Sequence, residues 1–123
     1  MDWNKFKAKK DDDILRSMID YMNGDEDDDE DFNCGYTQQD IDQCASILDS
    51  YIDELIVAKK DEKTIMKAVK GVITKLNKLN KKCDHSIIET DQREYLCDYI
   101  EEAAIAAGLP KPPYDITEKW REW

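Results

Sequence analysis

The chain lacks the features that mark membrane proteins, secreted scaffolds and the familiar enzyme classes. No stretch approaches the roughly 18 uncharged apolar residues that a membrane-spanning helix needs. The N-terminus, Met1-Asp2-Trp3-Asn4-Lys5-Phe6, has no apolar core of a secretory signal. The expected compartment is therefore the cytoplasm. With one histidine and no Cys-x-x-Cys pair, the chain does not offer the paired short spacings of a structural zinc site. Phosphate-loop, Gly-x-Ser-x-Gly and Gly-x-Gly-x-x-Gly patterns are absent. Sustained apolar–polar alternation is absent too, so no strand is expected. No repeat of solenoid period occurs.

What is present suits one helical domain spanning residues 1–123. Its 123 residues are 41% hydrophobic and 38% charged. A chain of this mass buries about two thirds of its unfolded surface, enough for a core without disulfide staples. The four cysteines then read as thiols rather than bridges, with Cys44 and Cys97 beside apolar positions in expected helices.

Charge is sorted along the chain. Residues 11–31 hold eleven acids against Arg16 and end in the run Asp25-Glu26-Asp27-Asp28-Asp29-Glu30-Asp31. Residues 59–82 hold nine lysines against Asp61 and Glu62, and the whole chain is −11. An acidic total disfavours nucleic acid and anionic membranes as ligands, because phosphate binding needs concentrated positive charge. It favours a basic protein partner, since opposite fields speed encounter.

Helical spacing organises the rest. Asp11, Asp12 and Asp13 sit where a helix N-terminus favours negative charge. Ile14, Met18, Tyr21 and Met22 follow at helical spacing, which predicts a first helix over 12–23 ending at Gly24. Residues 24–36 carry the acidic run, whose like charges repel, and read as a mobile loop. Thr37 with Asp40 forms a capping pattern. Ile41, Cys44, Leu48, Tyr51 and Leu55 then predict a strong amphipathic helix over 38–59. Asp61 caps a third, over 62–82, on Ile65, Val69, Val72, Leu76 and Leu79. Its opposite face carries Lys67, Lys70, Lys75 and Lys78 with Asn77 and Asn80. Ser86 with Glu89 reads as a capping box for a fourth helix stopped by Gly108, Pro110, Pro112 and Pro113. Asp115 to Glu118 predicts a short C-terminal helix, Ile116 to Arg121, with Trp120 docked on the body. The expected fold is all-α: a small antiparallel bundle of three to four main helices plus that short helix.

Two constellations resemble chemical sites. An EF-hand loop starting at Asp25 places Glu30 where glycine is needed and Tyr36 where a bidentate glutamate is needed, so no metal or cofactor is expected. Cys83 and His85 lie two residues apart in a turn, where thiol and imidazole do not align as nucleophile and base, and no glycine-rich oxyanion segment accompanies them. The lysine face lacks interleaved aromatics and reads as a solvated surface that pairs with acids elsewhere. Tyr95 and Tyr99 share one helical face.

The C-terminal third resembles a group of small, uncharacterised bacterial proteins. It carries Ser86-Ile87-Ile88-Glu89-Thr90 before a helix and closes on Arg121-Glu122-Trp123, as they do. The resemblance implies an all-helical domain with a docked tail. A clasp of Glu89 and Arg93 with Arg121-Glu122-Trp123 is the expected means of holding it.

For function, the leading expectation is a non-enzymatic acidic binding protein that neutralises or regulates a basic partner, as immunity proteins do to toxin or nuclease domains. The steering surface is Asp25, Glu26, Asp27, Asp28, Asp29, Glu30 and Asp31 with Tyr36 at its edge. Two alternatives stand beside it: a phage-type nucleic-acid mimic, which needs carboxylates spaced like phosphates on a rigid surface, and an enzyme with an unrecognised carboxylate site.

Overall fold

The computed structural model describes residues 2–23 and 34–123. The elements are α1 (Trp3–Lys10), a π-helical turn (Asp11–Leu15), α2 (Arg16–Asn23), α3 (Gln38–Val57), α4 (Glu62–Lys82) and α5 (Thr90–Ala107). Among the described residues there is no strand. The helices pack as a small bundle around one hydrophobic core. The acidic run and most of the expected loop 24–36 lie outside the described residues.

The N-terminal helix begins nine residues earlier than the apolar spacing predicts. Asp2 caps it, its carboxylate accepting the Lys5 N–H at 3.1 Å, and the helix continues without a break from Trp3 to Asn23. Asp11, Asp12 and Asp13 therefore sit in mid-helix, within the π turn, and cap nothing. The reason lies in the spacing of the buried side chains. Phe6, Lys10, Ile14 and Met18 are all buried and fall every fourth residue. In a straight α-helix such a row drifts steadily around the cylinder. A π turn widens the helix locally to about 4.4 residues per turn and takes up that drift. Lys10 is buried as part of this row, with its ammonium 2.8 Å from Asp49 and donating to the Lys7 carbonyl at 2.9 Å.

Helices α3 and α4 agree with their heptad patterns. Asp40 accepts the Thr37 N–H at 2.9 Å, and Asp61 accepts the Thr64 N–H at 3.1 Å. Each carboxylate thus satisfies a donor that a helix start leaves open. A tight turn joins the pair, with Lys59 and Lys60 in left-handed conformation (φ 51° and 65°). The end of α5 packs on that turn. Gly108 has φ +124°, and a Cβ there would lie 3.0 Å from the Lys60 Cβ.

Two expectations about the C-terminal third are corrected. The cap of helix α5 lies three residues after Ser86, at Glu89, with Gln92 reaching back to the Glu89 N–H at 3.1 Å. Ser86 instead donates to the Cys83 carbonyl. Ile87 and Ile88 are buried in the turn before the helix, where Asn80 accepts the Ile88 N–H at 3.1 Å. The tail forms successive turns rather than a helix. Asp115 accepts the N–H of Thr117 at 2.9 Å and its hydroxyl at 2.6 Å, an Asx-turn that opens these turns.

The tail nevertheless docks, through partners other than the expected clasp. Ile116 and Thr117 are buried, and Trp120 and Trp123 pack against the core. Asn77 holds the chain from both sides, donating to the Trp120 carbonyl at 2.8 Å and accepting the Glu122 N–H at 3.1 Å. Arg121 pairs with Asp115 at 3.2 Å, within the tail itself. Asn80, expected on the solvated face, is 2% exposed and accepts the Ile88 N–H at 3.1 Å. Tyr51 ties α3 to α5 by donating to the Ile100 carbonyl at 2.8 Å.

Candidate functional site

The run Asp25, Glu26, Asp27, Asp28, Asp29, Glu30 and Asp31 lies outside the described residues. The described chain resumes at Cys34, against the core. Tyr36 is buried, so it is part of the core rather than the rim of an acidic surface. Its hydroxyl donates to the Met18 carbonyl at 2.9 Å, and the Cys34 thiol donates to the Tyr36 carbonyl at 3.0 Å. Gly35 makes this approach feasible. Its φ is +91°, and a Cβ would meet Ser86 Oγ at 2.2 Å and Ser86 Cβ at 2.9 Å. The segment entering α3 is thereby pinned to α2 and to the turn before α5.

Two buried thiols are held in the neutral form. Burial pushes Cys44 up to about 12, and burial with the neighbouring Asp40 carboxylate pushes Cys83 up to about 11. All four cysteines are unbridged. Among the described residues no group of three or more His, Cys, Asp or Glu side chains is placed to hold a metal ion.

Asp40 joins two elements at this corner. Lys82, at the end of α4, reaches it at 3.0 Å. Burial raises the carboxyl's pKa, but the hydrogen bonds from Thr37 and Lys82 outweigh it, and the value falls below the ordinary 3.8. A depressed carboxylate contributes stability that is present above the unfolded value and lost as pH falls through the folded one. Stability is therefore expected to decline below about pH 3.8 more steeply in the native chain than in Asp40→Asn. Parallel acid-unfolding curves for the two proteins would contradict this.

The lysine face is largely free of internal partners. Lys67, Lys70, Lys75 and Lys78 are exposed and form no ion pair with another described residue. An open groove of about 520 Å³ between α3 and α4 is lined by Val57, Ala68 and Gly71 with Asp53, Glu54 and Lys67 on its sides.

A second acidic feature appears where the π turn meets α5. A notch of about 120 Å³ is bounded by Asp13, Lys9, Tyr95, Asp98 and Glu102, with the buried Ile14 and Tyr99 beneath. Asp98 and Glu102 stand four residues apart on α5, where like charges repel. Neither Asp13 nor Asp98 pairs with a described cation, and Lys9 lies 3.8 Å from Glu102, beyond hydrogen-bonding reach. Tyr95 is 40% exposed at the rim. Tyr99 is 5% exposed, and its hydroxyl has no hydrogen-bond partner. Burial chiefly, then the carboxylates of Asp49 and Asp11, pushes that phenol above its usual range.

Tyr95 and Tyr99 share one helical face in the sequence; Asp98 and Glu102 have the same i, i+4 spacing but carry no other signal there. Their meeting with Asp13 was not legible, because it depends on the early start of the N-terminal helix and on the π turn. No protein-family model, curated protein or solved structure matches this chain.

Proposed function

We propose that this chain is a non-enzymatic cytoplasmic protein that binds and neutralises, or regulates, a basic protein partner, in the manner of immunity proteins against toxin or nuclease domains. The observation that carries this reading is the acidic excess of the sequence, −11 overall with seven adjacent acids at 25–31. Asp2, Asp40 and Asp61 cap or brace helix starts. Asp49, Asp53 and Asp115 hold cations in the bundle. The seven acids at 25–31 follow a helix that ends at Asn23 and precede residues pinned by Gly35 and Tyr36. The four unbridged thiols suit a reducing compartment. A chain at −11 steers a cationic partner at long range and loses that advantage as salt rises.

Affinity capture from the cells that make the protein tests this. The expected result is one basic protein, retained at low salt, eluted as salt rises, and lost when every acid in 25–31 is changed to Asn or Gln. Capture of no basic protein, or capture indifferent to those changes, would refute the proposal.

A further inference from the structure

We infer that the groove between α3 and α4 binds a second copy of this chain. The inference goes beyond the function proposed above and does not depend on it. Three observations carry it. The first is exposed apolar surface. Val57, at the groove, is 74% exposed, the most of any large hydrophobic side chain among the described residues, and Ala68 and Gly71 line the groove beside it. The second is Gly71. It lies inside α4, where glycine is among the poorest helix formers. A Cβ there would meet nothing within 4 Å beyond its own helix, so no packing within this chain requires the glycine. An approaching second chain does, because a residue without Cβ lets another backbone come close. The third is charge. Helix α3 carries five acids and no base, whereas α4 carries seven lysines and one glutamate.

The charge decides the occupant. Glu54 stands on the α3 wall of the groove and Lys67 on the α4 wall, and neither makes an ion pair with a described residue. The other acid of that wall, Asp53, is already held by Lys7 at 2.8 Å. A basic partner would meet the lysines of α4, and an acidic one would meet the carboxylates of α3. A second copy avoids both conflicts. The tight turn at Lys59 and Lys60 makes α3 and α4 an antiparallel pair. A two-fold axis along the groove therefore sets α3 of each copy against α4 of the other, again antiparallel, as in a four-helix bundle. Acids then face lysines twice, once on each side of the axis. Two chains of −11 repel as wholes, but salt screens that repulsion beyond about 8 Å at physiological ionic strength. Across the groove, where the copies touch, the facing charges are opposite.

The test follows the full chain by sedimentation equilibrium over a wide concentration range, with no partner added. The expected result is a monomer–dimer equilibrium. Gly71→Gln keeps the net charge and enters open space in the monomer. It should leave the melting temperature of the dilute monomer unchanged or raised, while weakening dimerisation roughly tenfold or more. Glu54→Lys and Lys67→Glu each set like charge against like at two symmetric contacts, and each should weaken dimerisation roughly tenfold. The double variant restores opposite signs and should bind more tightly than either single variant. A monomer at every concentration would overturn the inference, as would a dimer indifferent to Gly71→Gln or a double variant weaker than both single ones. A chain that stays monomeric while a captured basic protein shields the amides around Gly71 from hydrogen exchange would give the groove to that protein and refute the second copy. An intact dimer from a chain that captures no basic protein would uphold this inference and refute the proposed function.

Discussion

A chain ending at Pro113 is expected to melt about 10 °C or more below the full-length protein. Removing residues 114–123 strips Ile116, which is 2% exposed, and Thr117, which is fully buried, from the body. It also uncovers the surface beneath Trp120 and Trp123. Burying one isoleucine side chain is worth about 1.5–3 kcal/mol, and the two partly buried indoles add to that. Asn77 simultaneously loses both of its tail partners, at 2.8 and 3.1 Å. A total near 3 kcal/mol corresponds to roughly 10 °C for a domain of this size. Thermal unfolding of the two proteins measures it. Equal melting temperatures would show that the tail merely rests on the bundle.

The second large effect is expected at Asn80. Asn80→Leu keeps a similar volume and removes the acceptor of the buried Ile88 N–H. An orphaned buried donor costs about 1–3 kcal/mol, and the branched leucine adds strain in a packed site. The loss should be local in its signature. Hydrogen exchange at the Ile88 amide should accelerate more than exchange in α3. Lys78→Leu on the same helix is the control, because an exposed substitution stays within about 0.5 kcal/mol. Should the two variants unfold at the same denaturant concentration, Asn80 has no structural role beyond filling space.

Much of the fold was legible because it depends on local rules. The heptads of α3 and α4, the caps at Thr37 and Asp61 and the stop at Gly108 each report a condition that neighbouring residues alone satisfy. Misreadings occurred where two local solutions were equally good and distant packing chose between them. Ser86-x-x-Glu89 and Glu89-x-x-Gln92 both resemble capping boxes, and the bond from the Ile88 N–H to Asn80 of α4 goes with the second. Asn77 and Asn80 look polar and therefore solvated. In the fold they act as surrogate backbone, meeting peptide groups of the tail and of the turn before α5. The segment Trp3–Lys10 carries no apolar stripe that marks a helix, because its two buried residues are Phe6 and a lysine, Lys10. In the notch, Asp98 and Glu102 carry no sequence signal beyond their spacing, and Asp13 beside them belongs to a different part of the chain.

The π turn has a further consequence for how the N-terminal region tolerates change. Asp11, Asp12 and Asp13 are exposed, so exchanging any of them for another polar residue is a surface event. Changing the number of residues here acts on the helix itself. A π turn holds one residue more than an α turn, so with one aspartate removed the turn closes to ordinary α geometry and the segments on either side keep nearly the same angular register. Phe6, now 4% exposed, then keeps its place beside the Tyr99 ring it meets at 5.0 Å. A second deletion has no such slack and turns the N-terminal segment by about 100°. The π turn thus stores one residue of length, and an indel scan of this stretch reads the fold where a substitution scan reads only the surface.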